Sequence, residues 1–207
     1  MARPTPTRPR SRPAAGLPAV TPARIIDAAV ALTMEHGLEK WTVRQLAAVV
    51  QAYPAVVYHH VGSRDAVLAE VLERVVGMLP VPPEELPWRD WFRVLLGELR
   101  GLLSRYPGVA RRFALHGPGV RAAAPIVDRG VRLLQEAGFG KESVLTYNLL
   151  LVTACQFLAM EDDRAANPEA CPAENPEQVA GYYASFYDYA IERCLDGAAA
   201  RLAVLTG

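Results

Sequence analysis

The amino-acid sequence predicts an all-α fold, and three observations support that prediction. The chain has 207 residues, 51% of them hydrophobic, so it can bury a sizeable core. Apolar residues recur at intervals of three and four between breaks rich in Pro and Gly, which is the spacing of amphipathic helices. No segment alternates apolar and polar residues as a half-buried strand does. We therefore expect an N-terminal three-helix unit followed by a larger C-terminal helical bundle.

The first helix is predicted over residues 22–36. Thr21 can act as its N-cap, and Pro22 suits the first helical position, where no backbone N–H is needed. Gly37 stands where a left-handed stop residue is expected. Residues 1–20 hold five prolines and four arginines, a composition that cannot bury apolar surface, so we expect a disordered arm there.

Two short helices follow in close succession. Thr42 and Gln45 have the spacing of a capping box, which predicts that a second helix begins there. Pro54 fits the first turn of a new helix and not the interior of an old one, so a third helix is expected over residues 54–60. Gly62 then ends this helix, and the next residue is a serine that can cap a fourth.

The remainder of the chain is predicted to be helical with one long loop. The fourth helix should end near Pro80, because Pro80-Val81-Pro82-Pro83 cannot continue it. Residues 164–176 are rich in Asn, Pro and Glu, which is typical of a loop. The other predicted helices span residues 88–105, 107–116, 122–137, 141–163 and about 176–204.

Charge is distributed unevenly although the formal net charge is zero. Residues 1–65 carry eight Lys/Arg against four Asp/Glu, whereas residues 66–207 carry fourteen against eighteen. The three cysteines are odd in number and widely spaced, so neither a zinc knuckle nor a closed disulfide set is indicated. With no apolar run of 18 residues and no apolar leader segment, we expect a cytoplasmic protein.

The second and third helices have the spacing of a helix-turn-helix, whose second helix lies in the DNA major groove. Val57 and Val61 are four residues apart and can pack inward on Leu46 and Val50. The outer surface then holds small residues together with tyrosine and histidine donors, as close approach to a duplex requires. These outer residues are Ala55, Val56, Tyr58, His59 and His60.

Three stretches between residues 21 and 79 carry a family resemblance: TPARIIDAAVALTMEHG, TVRQLAAVV and PAVVYHHVGSRDAVL. They resemble the DNA-binding domain of the TetR family of bacterial transcriptional regulators, especially the tetracycline-repressor branch at YHHV. The resemblance implies a homodimer that releases a palindromic operator when a small molecule binds. It also implies a helix-turn-helix DNA-binding domain at 21–65 and a ligand-binding and dimerisation domain at 66–207, in which 66–79 is the connecting helix.

The resemblance implies roles for single residues. Thr42 and Tyr58 would contact phosphates, and His60 would do likewise or support the turn. Arg64, at the N-terminus of the fourth helix, would face the DNA backbone. Arg44 would reach a base, and arginine is the usual bidentate reader of guanine. The full predicted DNA-binding set is Thr42, Arg44, Gln45, Tyr53, Pro54, Ala55, Val56, Tyr58, His59, His60 and Arg64.

Three positions depart from the family pattern. Gln51 stands at the turn glycine, and a non-glycine residue in a left-handed conformation costs on the order of 1 kcal/mol. Tyr53 replaces the usual Ser or Thr cap of the recognition helix, which loses roughly 1 kcal/mol of capping. Ala55 stands where glycine is common. Because of these departures, the resemblance implies the mode of binding and not the operator sequence.

The C-terminal bundle is expected to hold the effector and to form the dimer. Pockets between bundle helices are mostly apolar, which predicts a largely apolar small-molecule effector of unknown identity. The helix over residues 141–163 and the last helix are expected to form a two-fold four-helix interface. The predicted ligand-binding residues are Trp91, Phe113, His116, Tyr147, Gln156 and Met160.

Metal and catalytic sites are not indicated. Adjacent residues on a helix point about 100° apart, so His59 and His60 cannot chelate one ion together. The acidic run at residues 161–163 suggests a solvated face, and no nucleophile elbow, P-loop or HExxH motif is present. We expect no cofactor and no enzymatic activity. The alternatives are a helical small-molecule-binding or oligomerisation protein without DNA binding and, less favoured, an α-helical enzyme.

Overall fold

The computed structural model describes residues 19–117, 119–167, 169 and 175–207. Within these ranges the regular structure is entirely helical, which confirms the all-α prediction. The arm at residues 1–18 lies outside the described residues, as do residues 168 and 170–174 of the predicted 164–176 loop, which include Cys171. The helices are α1 Pro22–His36, α2 Val43–Val49, α3 Pro54–Val61, α4 Arg64–Val76, α5 Trp88–Leu103, α6 Val109–His116, α7 Ala124–Ala137, α8 Ser143–Ala166 and α9 Pro176–Thr206.

The first helix begins and ends where the sequence predicts. The hydroxyl of Thr21 accepts the N–H of Arg24 at 3.3 Å, and Pro22 occupies the first position. Gly37 ends the helix with a φ of +93°. The buried side of α1 faces α2 and α4, so the three N-terminal helices share one core with the start of the connecting helix.

Several helix boundaries differ from the predicted ones, and three of the differences have a local reason. α4 ends at Val76 instead of near Pro80, because Gly77 follows it and weakens the helix. α6 begins at Val109, two residues later than predicted, because Gly108 has a φ of +87° that no α-helix accommodates. α8 continues to Ala166, since the residues after its predicted end are good helix formers.

An aromatic core holds the C-terminal bundle together. α8 packs against α5, α6, α7 and α9. On α9, the buried hydroxyl of Tyr187 donates to the carbonyl of Leu96 at 2.7 Å. Gly130 on α7 lies so close to α8 and α5 that an added Cβ would stand 2.7 Å from the ring of Tyr147 and 3.1 Å from that of Trp91. The close contact of three helices therefore requires a residue without a side chain at this position.

Hydrogen bonds to backbone groups join the N-terminal unit and α4 to the bundle at two places. In the connection between α1 and α2, the N–H of Leu38 donates to the carbonyl of Pro107 at 2.8 Å. On α4, the carboxylate of Glu73 accepts the N–H groups of Arg121 and Ala122 at 2.7 and 2.9 Å. These backbone donors, first that of Ala122, lower the pKa of Glu73. These contacts connect the segment before α2 and the helix after α3 to the bundle.

Candidate nucleic-acid interface

The start of α2 is fixed by the predicted capping box. The hydroxyl of Thr42 accepts the N–H of Gln45 at 3.2 Å, and the side-chain oxygen of Gln45 accepts the N–H of Thr42 at 2.7 Å. Both residues remain exposed on the outer side of the unit, as does Arg44 between them. The box thus orders the backbone while these side chains stay accessible to a partner.

A left-handed residue makes the turn between α2 and α3. Gln51 has a φ of +55°, the only positive value at a non-glycine residue within the described chain. This confirms that the chain places glutamine where a glycine conformation is required. The N–H of Ala52 then donates to the carbonyl of Ala47 at 2.8 Å, which closes the turn. The turn is therefore sharp and carries a local strain of about 1 kcal/mol.

The inner face of α3 packs as the sequence predicts. Val57 is buried and Val61 is half-buried, and both belong to the core that contains Leu46 and Val50. Only Val57 is fully buried along the whole of this helix. α3 is therefore held by a narrow apolar stripe, and most of its surface is available for contact.

The outer face of α3 gathers the predicted aromatic and histidine residues. Tyr53 is 73% exposed and makes no capping hydrogen bond, and Tyr58 is 47% exposed. His59 and His60 are also exposed, with ring centroids 5.6 Å apart in an edge-to-face arrangement. Within the described residues no group of three or more His, Cys, Asp or Glu residues could hold a metal. We name these exposed side chains, together with the exposed Arg44 on α2, the α3 surface.

Arg64 is bonded to its own protein. Its guanidinium donates to the carbonyls of Glu39 at 3.0 Å and Trp41 at 3.4 Å, and its carbon lies 5.3 Å from the centre of the Trp41 ring. Trp41 is buried and donates its indole N–H to Thr33 at 3.0 Å. Arg64 therefore ties α4 to the connection before α2. A phosphate contact through Arg64 stays a prediction, and it would have to form beside or in place of these bonds.

The six predicted ligand-binding residues lie in separate places. Trp91, Phe113 and Tyr147 are buried in the bundle, and burial raises the pKa of Tyr147. Gln156 and Met160 line an open cavity of about 520 Å³ between α6, α8 and α9. A second cavity, of about 800 Å³, contains the sixth residue, His116, and lies where α6 and α8 meet the connection between α1 and α2. The structure does not bring the six residues into one pocket.

The acidic run on α8 is not a solvated face, which corrects the sequence interpretation. Glu161 pairs with Arg100 at 2.6 Å, and both side chains are largely buried. Asp162 accepts the N–H of Gly108 at 2.7 Å. Only Asp163 is exposed. The partners lie on α5 and at the start of α6, more than 50 residues away in sequence, so no local pattern reveals them.

The surface of α8 carries a stripe of apolar residues. Gly140–Ala166 is long and apolar enough to cross a membrane by length and composition alone, and 39% of its most apolar window is buried. One such helix is weak evidence for a membrane span, because core helices of soluble proteins pass the same test. Its exposed apolar residues are Val144, Leu145, Leu149, Val152 and Met160.

The N-terminal unit matches a known protein family. Residues 25–71 match the model of the family described as bacterial regulatory proteins, tetR family. A curated HTH-type transcriptional regulator from Saccharopolyspora erythraea is 35% identical over 132 residues, which cover 62% of this chain and 55% of that protein. The chain thus spans about half the length of this curated relative. The matched proteins are regulators, in agreement with the expectation that this chain is not an enzyme.

Solved structures share the fold over most of the chain. BioQ from Mycobacterium smegmatis has a TM-score of 0.73 at 17% identity, covering 88% of this chain and 99% of BioQ. The TetR family protein ActR from Streptomyces coelicolor, in complex with (S)-DNPA, has a TM-score of 0.70 at 22% identity, covering 92% and 100%. A BioQ structure with its natural double-stranded DNA operator has a TM-score of 0.68 at 18% identity, covering 88% and 99%. The helix-turn-helix geometry and the matched segment agree: residues 25–71 match the tetR family of bacterial regulatory proteins, and the rest of the chain shares the fold of the solved structures.

Proposed function

We propose that this protein is a transcriptional regulator that binds a palindromic operator as a homodimer and is released by a small molecule, as a repressor would be. The observation that carries the proposal is the α3 surface. Its tyrosines, its histidines and Arg44 are exposed while the backbone beneath them is fixed by a capping box and a buried valine. Donors held outward on a rigid, short helix suit contact with a duplex. Such a regulator works in the cytoplasm.

The α3 surface divides into backbone-binding and base-reading parts. Tyr58 is exposed, so its hydroxyl can donate to a phosphate, and the exposed hydroxyl of Thr42 can do so when it turns from Gln45, to which it donates at 2.9 Å. Arg44 is the second residue of α2, from which its planar guanidinium can pair with the O6 and N7 of guanine. Ala55 and Val56 are small residues near the start of α3 and can touch thymine methyl groups. Phosphate contacts then set the register, and Arg44 supplies the sequence preference.

The apolar stripe of α8 and the exposed aromatic residues of α9 support a dimer. Leu145 is 69% exposed and Leu149 is 57% exposed on the same side of α8, and Tyr189 on α9 is 62% exposed. A contiguous apolar surface of this kind marks a protein interface. Pairing α8 and α9 with their symmetry copies would form a four-helix interface, and two recognition helices about 34 to 36 Å apart would then fit successive turns of one groove.

The buried aromatic cluster of the bundle supports an effector site. The indole N–H of Trp91 is buried and makes no hydrogen bond within the described residues, and an unpaired buried donor is costly. A ligand oxygen that satisfied this N–H would have to separate the helices there, because Gly130 packs directly against Trp91 and Tyr147. The related ActR and BioQ structures contain a small molecule and an operator, respectively, which supports both halves of the proposal. An effector acts only if it binds the two conformations with different affinity.

Selection of bound DNA from a random pool tests the proposal most directly. Purified protein should enrich a palindrome whose half-sites are centred about one helical turn apart. Binding of the selected DNA should weaken with salt at a log–log slope of about −0.9 per phosphate neutralised. Arg44→Ala in the same selection is the matched control, and it should lose the preference at one base of each half-site. Recovery of no palindrome, with the protein folded and dimeric, would count against operator binding.

A further inference from the structure

One peptide group bridges the N-terminal unit and α8. The peptide that joins residues 107 and 108 accepts the N–H of Leu38 through its carbonyl, at 2.8 Å. Its own N–H donates to the carboxyl of Asp162 at 2.7 Å. Because a peptide group is planar, its C=O and N–H keep fixed opposite directions. A rotation of this single plane therefore breaks both hydrogen bonds together.

Two features act on the peptide plane of residues 107 and 108. Gly108 allows the plane to rotate, and the close contacts around it favour the present orientation. Gly108 has a φ of +87°, a region open to glycine but rarely to other residues. A Cβ added at Gly37 would stand 3.3 Å from the Pro107 carbonyl oxygen, and one added at Gly108 would stand 3.4 Å from the Cβ of Leu38. The segments at Gly37 and Gly108 thus lie in close contact because neither residue has a side chain. Asp162 binds the N–H of the same peptide whose carbonyl faces Leu38.

We propose that Asp162 is a positioning residue that docks the DNA-binding unit on the bundle through the 107–108 peptide, and that acidification tightens this docking. A hydrogen bond to the N–H polarises the peptide and strengthens its carbonyl as an acceptor for Leu38. Leu38 lies four residues before the cap of α2. Asp162 is therefore linked through one peptide group to the segment that positions the helix-turn-helix. An effect of Asp162 on operator affinity rests on the proposed function. The docking itself is a contact within the chain and does not depend on DNA binding.

The environment of Asp162 makes the docked state sensitive to protons. Burial raises the pKa of Asp162 to about 6, against the opposing effect of the Gly108 N–H, while Glu161 raises it and Lys40 lowers it. Asp162 lies in the cavity of about 800 Å³ shared by α6, α8 and the connection between α1 and α2. The other charged or titratable groups that line this cavity are Glu35, His36, Glu39, Arg111, Arg112, His116 and Asp163.

The direction of the pH effect follows from linkage. The docked state has the higher pKa, so it takes up a proton more readily than an open state in which Asp162 is solvated. Protonation of Asp162 therefore stabilises the docked state. This stabilisation is complete below the ordinary pKa of 3.8 and is lost as the pH rises through about 6. Between pH 7.5 and pH 5.5 the docking equilibrium constant should increase about fourfold. The neutral acid still accepts the Gly108 N–H, and it avoids the desolvation of a charge.

Amide hydrogen exchange of the full chain without DNA tests the docking. After correction for intrinsic rates, protection of the Leu38 and Gly108 amides should rise about fourfold from pH 7.5 to pH 5.5. Asp162→Asn, an isosteric neutral acceptor, should keep high protection at both pH values, and Asp162→Ala should lose it at both. Asp163→Asn removes the neighbouring exposed charge and should behave as wild type. Retention of the pH response in Asp162→Asn, or unchanged protection in Asp162→Ala, would overturn the docking role.

Operator binding gives a second measurement that separates this inference from the proposed function. Because His59 and His60 also face DNA, the informative quantity is the ratio of operator Kd between wild type and Asp162→Asn. This ratio should change by up to about fourfold between the two pH values. If this Kd ratio stays the same at both pH values while amide exchange changes as expected, docking does not affect operator binding. A protein that binds no operator but shows the expected exchange would overturn only the proposed function.

Discussion

Two exposed surfaces of this molecule differ in chemistry. The α3 surface presents tyrosines, histidines and Arg44, all on elements of eight residues or fewer. The apolar stripe of α8, with Leu145 and Leu149 at its centre, lies on a helix of 24 residues. The first surface offers hydrogen-bond donors around a small apolar centre, and the second offers apolar area flanked by few charges.

The difference indicates what kind of partner each surface suits. Exposed donors on a short helix remain solvated when free and gain charge-assisted bonds with phosphates when bound. Exposed leucines gain only when another apolar surface removes them from water, at roughly 25 cal/mol per Å². A duplex satisfies the first requirement and a second copy of the chain satisfies the second. The two surfaces should therefore respond to opposite kinds of substitution.

The largest effect is expected from a charge in the stripe. Leu145→Glu combined with Leu149→Glu would bury two unpaired carboxylates in the proposed dimer interface, at roughly 2 kcal/mol or more each. Sedimentation velocity should show dissociation to monomers at micromolar concentration, with helix content retained. Val94→Glu, which alters an exposed apolar residue of α5, is the matched control and should stay dimeric. A double variant that remains a dimer would place the interface elsewhere.

Substitution of the α3 surface should change DNA binding and leave assembly intact. Arg44→Ala should cost about 1 to 3 kcal/mol of operator affinity and equalise binding to operators that differ at the contacted base. Fluorescence anisotropy with matched and base-substituted operators measures both quantities. Arg74→Ala removes a cation of α4 that pairs with Asp27 at 2.8 Å, and it should leave base preference unchanged. Equal preference profiles for wild type and Arg44→Ala would assign specificity to other residues.

The sequence predicts the N-terminal unit well because its determinants are local. The capping box joins residues three apart, and the inward position of Val57 follows from helical spacing. The left-handed turn at Gln51 is expected only from the family resemblance, which places a turn glycine at this position. Each of these features depends on backbone geometry within about ten residues, which a single sequence encodes directly. Propensity, capping and apolar spacing agree there.

The C-terminal contacts could not be predicted in the same way. Asp162 and Gly108 are 54 positions apart in sequence, and Leu38 and Pro107 are also distant. Acidic residues at a helix end are usually solvated, so the sequence gives no sign that Asp162 binds a backbone N–H. The sequence also does not show which of the aromatic residues of the bundle face a cavity. Burial alone cannot distinguish core packing from a ligand pocket, and the six predicted ligand residues were therefore not brought together.

A smaller effect should follow from replacing the left-handed glutamine. Gln51→Gly relieves the strain of its φ of +55°, whereas Gln51→Ala keeps that strain and loses the same side-chain contacts. The glycine variant should therefore be about 1 kcal/mol more stable to denaturant than the alanine variant. Equal midpoints for the two variants would show that the turn relaxes without cost.

The smallest effect concerns the cap of α3. Substitution there should change the stability of the unit and its DNA binding independently. Tyr53 is the N-cap and provides no capping bond, so Tyr53→Ser should stabilise the unit by about 0.5 to 1 kcal/mol relative to Tyr53→Ala. Both variants remove the exposed phenol and should weaken operator binding equally. Denaturation and anisotropy measured on the same pair separate the two properties. If the serine variant binds DNA as tightly as wild type, Tyr53 is not part of the interface, and the missing cap has no functional explanation.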